Sequence, residues 1–307
     1  ASLMKGIPEA VDLLEQKIGE NAYIRIIGDY DIDGVCSTYI LLRGLTRAGA
    51  EVDTDIPDRK KDGYGLNEDL VKRAYDAGVD TIVTCDNGIA AVKEIAYAKS
   101  LGMTVIITDH HELQEEIPPA DVVVNPHQKD CPYPYKNLCG AGVAWKLVSA
   151  LWEQLGVPEQ ELYEDLLLFA GFATVGDVMN LTGENRILVK EALKLLKTTT
   201  HPGISALIEV NEISRETISA FHIGFVLGPC INASGRLDTA KRALELLKTT
   251  DYEKALVKAA ELKALNDERK SMTDDGVQQA LDQIENSDMK RDRVLVIYLP
   301  DCHESLA

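Results

Sequence analysis

No stretch of this 307-residue chain approaches the roughly 20 consecutive apolar residues that a membrane-spanning helix needs, so no helical membrane anchor is expected. The opening Ala1-Ser2-Leu3-Met4-Lys5 lacks a basic segment followed by an apolar one, so it does not read as a signal peptide. The six cysteines, Cys36, Cys85, Cys131, Cys139, Cys230 and Cys302, never fall in C-x-x-C spacing. That excludes a zinc ribbon, and the chain is too long and cysteine-poor for a secreted disulfide scaffold. Free packing thiols in a cytoplasmic protein are expected. Positive charge is also scarce: 32 Lys and Arg against 50 Asp and Glu leave a net charge of −18, which argues against a broad basic surface for phosphates. Local basic segments such as Arg59-Lys60-Lys61, and metal ions held by acidic groups, soften that objection. Three motifs are missing as well. There is no G-x-x-x-x-G-K-[ST] loop, no G-x-S-x-G elbow and no full G-x-G-x-x-G; Gly140-Ala141-Gly142 is followed by Trp145 where the third glycine would stand.

What is present is an ordinary globular composition, 45% apolar and 27% charged, in a length that suits about two domains. Apolar β-rich runs at 23–28, 51–56, 81–85, 104–108 and 121–125 alternate with helical patterns at 35–48, 67–77 and 90–100. Asn67 suits an N-cap. This alternation implies right-handed βαβ units and a doubly wound parallel α/β sheet. From Gly142 the pattern becomes helical, with helices expected at 143–155, 159–173 and 186–197. Residues 238–288 read as two polar helices, the second long enough to bridge domains. A new strand is expected at 293–299, too close to the end to form a domain, as if the sequence were cut just inside a second one.

Four short segments stand where strands or helices end: Asp29-Tyr30-Asp31-Ile32-Asp33-Gly34, Cys85-Asp86-Asn87-Gly88, Asp109-His110-His111-Glu112 and Thr174-Val175-Gly176-Asp177-Val178. In an open α/β sheet, ligands bind in the crevice beyond the carboxyl ends of the strands. Taken singly, each segment has an ordinary use, since Asp and Asn cap helices and shape turns. Jointly they crowd carboxylates and imidazoles onto one rim, where the acids would repel one another unless a cation neutralised them. Oxygen donors with one or two imidazoles suit Mn²⁺ or Mg²⁺. A bridging carboxylate would hold two such ions roughly 3.5–4 Å apart, the arrangement used for in-line phosphoryl displacement.

Asp109-His110-His111 resembles the signature of the DHH phosphoesterase superfamily. The segments GDYDIDG (28–34), PDRKKDGYGL (57–66), CDNGI (85–89), TDHHE (108–112), NPHQKDCPYPYKNLCGAGVAWKL (125–147), VGDV (175–178) and GPCINASGRL (228–237) resemble RecJ-like exonucleases in particular. The match runs from about residue 20 onward, and the closing PDCHESLA is similar to the opening of the family's second, DHHA1-type domain. The resemblance implies a DHH catalytic domain at 1–197, a helical region with a connecting helix at 198–290, and the first strand of a truncated DHHA1-type domain at 291–307. It implies Asp31 as a ligand of a first metal and Asp33 of a second, with Asp86 between them and His110 and Asp177 completing the second site. His111 would face the scissile phosphate, and Asp109 would orient a neighbour. Many relatives carry a histidine four residues before the first aspartate. Here that position is Ile27, so the first site should be weaker, with Asp29 either a substitute or a turn residue.

Arg59 resembles the family arginine that meets a terminal 5′ phosphate, against the alternative of a solvated loop arginine. Asn232 and Arg236 resemble a pair contacting the substrate strand, against the alternative of interdomain packing. Cys230 stands where many relatives have arginine. Trp145 and Tyr64 could stack on bases, or pack. The function implied is a 5′→3′ exonuclease of single-stranded DNA using two divalent cations, Mn²⁺ ahead of Mg²⁺, in repair and recombination. Single-strand-binding protein or a helicase are the partners considered. Two other functions remain open on sequence: a DHH phosphodiesterase for short oligoribonucleotides or cyclic dinucleotides, and a non-catalytic replication scaffold of the same fold.

Overall fold

The computed structural model describes every residue except 60, 64, 288, 290, 291, 301 and 304–307, together with every side chain but that of residue 165. Lys60, Tyr64 and most of the closing segment therefore lie outside the described residues. The chain opens with α1 (Ile7–Gly19), β1 (Tyr23–Ile27), α2 (Ile32–Arg47), β2 (Glu51–Asp55), α3 (Glu68–Asp76), β3 (Thr81–Cys85), α4 (Val92–Ser100), β4 (Thr104–Thr108) and β5 (Val122–Val124). Helices follow: α5 (Gly140–Gln154), α6 (Glu159–Asp165), α7 (Leu167–Gly176), α8 (Gly183–Thr198), α9 (Pro202–Val210) and α10 (Ala220–His222). A π-helical turn, Ile223–Leu227, leads into α11 (Gly228–Leu237), α12 (Lys241–Lys248) and α13 (Tyr252–Glu285).

The five strands form one parallel sheet in the order β2-β1-β3-β4-β5. The period-2 geometry of a strand explains why it is apolar on both faces. Ile26, Val83 and Ile106 point into the larger core, shared with α1, α2, α5 and α7, while Ile27, Ile82 and Ile107 point into a smaller one beneath α3 and α4. The chain leaves β1 in one direction along the sheet and β3 in the other. The carboxyl ends of these neighbours therefore open a crevice at the topological switch point.

Several helix limits differ from expectation for identifiable reasons. The second helix begins at Ile32 because Asp31 caps it, its side chain accepting from the backbone N–H of Asp33 and Gly34. The helix expected at 159–173 is two, broken at Leu166 by a non-helical φ of −122° that no Gly or Pro announces. The first helix was not anticipated, although Ile7, Ala10, Val11 and Leu14 form a helical stripe that is buried. The strand expected at 293–299 is corrected. The described residues there form none, because a strand exists only with a ladder partner and none is present among them. Val294, Val296 and Tyr298 are accordingly exposed. In the 34-residue α13, Ala255, Ala259, Leu262 and Asn266 pack inward, and no position beyond Asn266 is buried. No helix among the described residues is long and apolar enough to cross a membrane.

Candidate metal centre

Every carboxylate on the rim is placed by a backbone device. Asp31 is fixed as the cap of α2. Asp33, fully buried in the first turn of that helix, accepts from the backbone N–H groups of Gly140 at 2.6 Å and Ala141 at 2.8 Å. These are the free donors of the α5 N-terminus, where helix polarity favours negative charge. Gly140 is required there, since a Cβ would lie 2.7 Å from Asp86 Oδ1. Asp86 follows β3 with a φ of 60°, an uncommon left-handed conformation for a residue with a side chain. Asp177 closes the C-terminus of α7.

These groups converge. His110 Nε2 lies 3.1 Å from Asp86 Oδ1, 3.6 Å from Asp33 Oδ2 and 3.9 Å from Asp177 Oδ2. Ligand atoms of Asp33, His110 and Asp177 lie within 4.8 Å of one another, as do those of Asp29, Asp31 and Asp86, and those of Asp86, His110 and His111. The sequence thus brings Asp31, Asp33, Asp86, His110 and Asp177 to one place, and Asp29 joins them. Asp109 is buried and serves its neighbours: Oδ2 accepts from Ile89 N–H, while Oδ1 accepts from His110 N–H, His111 N–H and, at 2.8 Å, His111 Nδ1. Burial pushes Asp109 up, but the His111 hydrogen bond and charge with the Ile89 amide outweigh it, leaving its pKa below the usual range. The same hydrogen bond raises His111 to about 9. Nδ1 is thereby fixed as a donor and Nε2 turned outward.

The acids themselves are held in an unfavourable state. Burial, then the charge of Asp31, raises Asp29 to about 7, and burial with Asp33 raises Asp31. Burial and Asp33 push Asp86 well up, and the same two causes raise Asp177 to about 8. Among the described residues, no Lys or Arg pairs with any of these five carboxylates. Among the described residues, the buried Oδ1 atoms of Asp29 and Asp86 accept no hydrogen bond, the 3.1 Å approach of His110 Nε2 to Asp86 lacking the alignment for one. Orphaned acceptors and repelling carboxylates around an imidazole are what a divalent cation would satisfy, and hard oxygen donors with one or two nitrogens fit Mn²⁺ or Mg²⁺.

Beside the cluster lies a cleft of about 420 Å³ whose lining includes Tyr30, Asp31, Arg59, Asp177, Asn232 and Arg236. The Arg59 guanidinium sits 5.5 Å above the Tyr30 ring. Burial, and the like charges of Arg59 and Arg269, lower the pKa of Arg236, against the opposing pull of Asp31 in the same lining. Asn232 accepts from Ile32 N–H through Oδ1 at 2.7 Å, so that oxygen secures the start of α2. Trp145 packs on the core, with Lys146 Nζ 4.8 Å from its ring, away from this cleft.

Residues 23–171 match the DHH family, N-terminal domain. A crystal structure of exonuclease RecJ bound to manganese superposes with a TM-score of 0.88 and 35% identity, covering 99% of this chain and 75% of that one. The chain belongs to the RecJ family of DHH proteins. The single-stranded-DNA-specific exonuclease RecJ of Bacillus subtilis is 41% identical over 298 residues, which are 95% of this chain and 36% of that protein. RecJ of Dickeya dadantii is 37% identical over 99% of this chain and 55% of its own length. The chain thus spans about a third to a half of the curated RecJ relatives it matches. Asp29, read from the sequence as either a substitute ligand or a turn residue, joins the cluster. Arg269, whose charge acts on Arg236, escaped sequence reading because it lies on α13, where nothing local signals that approach.

Proposed function

We propose that this chain carries the catalytic portion of a 5′→3′ exonuclease that hydrolyses single-stranded DNA to 5′ mononucleotides. The observation that carries this is the cluster of five buried or half-buried carboxylates around His110, beside a cleft that Arg59 and Arg236 also line. Asp31, Asp33, Asp86, His110 and Asp177 would hold two divalent ions, Mn²⁺ or Mg²⁺, with Asp86 between the two sites and Asp29 supporting the first in place of the histidine that Ile27 replaces. Such ions would supply Lewis-acid polarisation of the phosphate and a more acidic water nucleophile.

The side chains of the chain itself do the rest. His111, held by Asp109, presents Nε2 to the scissile phosphate and donates to its developing negative charge. Arg59 and Arg236 bind the terminal phosphate and the strand, and Asn232 keeps the start of α2 in register. Cleavage from the 5′ end follows if the terminal phosphate sits at the arginines and the first internal linkage lies over the acids. Residues 1–197 would form the catalytic domain, 198–290 the region connecting it to a DHHA1-type domain, with 291–307 entering that domain. The setting would be the cytoplasm, in repair and recombination, on strands exposed by a helicase or covered by single-strand-binding protein.

The test is digestion of oligonucleotides labelled at either end, with Mn²⁺ or with EDTA, beside Asp86→Ala. Early release of the 5′ label as mononucleotide is expected, lost with EDTA and reduced more than about 100-fold in the variant. Near-normal rates for Asp86→Ala would rule out the two-metal assignment, and early release of the 3′ label would reverse the polarity.

A further inference from the structure

Away from the metal cluster, one strip of the surface departs from the acidic character of the molecule. Arg186, Lys190, Lys194 and Lys197 are exposed along one side of α8. At 1.5 Å per residue this ladder is roughly 16 Å long. The acids of the same helix are already engaged. Glu184 is held by Tyr133 and Lys146, and Glu191 by Tyr163 and Lys194. Among the described residues, Arg186, Lys190 and Lys197 have no carboxylate at ion-pair distance.

The ladder edges an apolar groove of about 510 Å³ whose walls include Leu181, Val189, Leu193 and Ile218. Ser219 and Ala220 close its far side. The next residue, Phe221, stacks on Phe225 with ring centroids 5.0 Å apart at 27°. Both rings are exposed, at 60% and 67%. Phe221 lies in α10, and Phe225 stands on the π-helical turn that follows, a rare conformation often kept at functional sites. Two features join this strip to the metal cluster. Leu181 is only four residues from Asp177, a span of at most about 14 Å of chain. A Cβ on Gly224 would lie 3.7 Å from Val175, two residues before Asp177, so the turn abuts the end of α7.

We propose that this strip is a docking surface for a single-stranded polynucleotide, with phosphates along the α8 cations and bases against the groove and the Phe221–Phe225 pair. The proposal rests on the nuclease reading above. A ladder of cations, three of them without a carboxylate at ion-pair distance among the described residues, and outward-facing aromatic rings match the two things every single strand offers, a regular line of negative charge and unstacked π-faces. An acidic peptide would use the cations and the groove, but it has no need of a stacked aromatic ledge beside the helix that ends at Asp177. A strand held here would be gripped outside the metal cluster while its end is cut. Grip would then depend on strand length.

The experiment follows binding of a fluorescein-labelled oligodeoxythymidylate to the full chain by anisotropy, in EDTA, over a salt series. Two variants are compared, Lys190→Gln/Lys194→Gln/Lys197→Gln and Phe221→Ala/Phe225→Ala, each checked for folding by circular dichroism. The lysine variant should bind about tenfold or more weakly, with a salt slope shallower by about two units, because each single-strand phosphate contact contributes roughly 0.7. The phenylalanine variant should lose about tenfold in affinity with its slope unchanged. Unchanged affinity and slope in both folded variants overturns the proposal. So does a variant that keeps the oligonucleotide while losing a labelled acidic peptide with an apolar end. Mn²⁺-dependent release of mononucleotides from a 5′-phosphorylated oligodeoxythymidylate by the unaltered chain reports the cleft separately. Its absence, with the binding losses intact, would sink the nuclease reading and leave the docking surface standing.

Discussion

Arg59 shows how much a single side chain can decide. Its guanidinium faces the cleft that also receives Asp31, Asp177 and Arg236, and the Tyr30 ring beneath it limits where the planar group can turn. A bidentate guanidinium–phosphate contact adds both energy and direction, about 1.5–3 kcal/mol for a hydrogen bond to a charged group. Arg59→Ala is therefore expected to lower kcat/KM about 10- to 100-fold on 5′-phosphorylated strands and far less on strands ending in a 5′ hydroxyl. Steady-state rates on the matched pair check it, and equal losses on both would strip Arg59 of that role. At this scale the sequence was informative because the acids and histidines sit directly after strands, where a short motif fixes backbone and side chain together. It was uninformative where the partner is remote. Asn232 reaches Ile32 across 200 positions, and Arg269 approaches Arg236 only because α13 packs against α11. No pattern in the chain announces either meeting.

Between elements, the site depends on helix ends as much as on strands. The α5 N-terminus binds Asp33, and the α2 N-terminus is secured by Asp31 and Asn232. Midway along its length α2 is tied to the helical region through a half-buried histidine. His201 caps α9, Nδ1 accepting from Ile204 N–H, while Nε2 lies 3.0 Å from the Tyr39 hydroxyl of α2. An Nδ1 that accepts cannot carry a proton, so this geometry requires the neutral ring. Burial, with the nearby Arg43 charge, lowers its pKa to about 4. Because the folded value lies below the usual 6.5, the stability it confers is complete above that pH and is lost as pH falls toward 4. The loss is at most about 3 kcal/mol. Urea unfolding at pH 7.5 and pH 5 should show His201→Asn less stable than the parent at the higher pH, with that deficit shrinking at the lower pH. A deficit equal at the two pH values would reject His201 as the source. The strands and most helices were legible from periodicity, since a sheet buried on both faces forces continuous apolar runs. The interruption at Leu166 and the π-helical turn were not, because no Gly or Pro stands at Leu166 and the glycines in and after the turn do not distinguish a π-helical from an α-helical one.

Across the whole molecule, a net charge of −18 sits on a fold that also gathers five acids in one place, three of them buried and two half-buried. Without a cation the fold can keep them only by retaining protons. Asp29 is raised to about 7, Asp177 to about 8 and Asp86 well above its ordinary value, each chiefly by burial. In the unfolded chain the same groups lose their protons near pH 4. The sign follows: the metal-free native state holds protons that the unfolded state has released, so its stability falls as pH rises from about 4 to about 8. A divalent cation replaces those protons and stabilises the folded form, by roughly 2.7 kcal/mol when the free ion is at about 100 times its Kd. Since ligands must be deprotonated to bind it, the gain should grow with pH. Melting of the full chain with and without Mn²⁺ is therefore expected to show a larger increase in Tm at pH 8 than at pH 5.5, and a smaller one at both in Asp86→Asn. The His201 contribution runs the opposite way with pH but is common to both arms, so it cancels in the difference. An increment equal at the two pH values would mean that the ion binds elsewhere on the acidic surface, and none at all would mean that this cluster holds protons instead of metal.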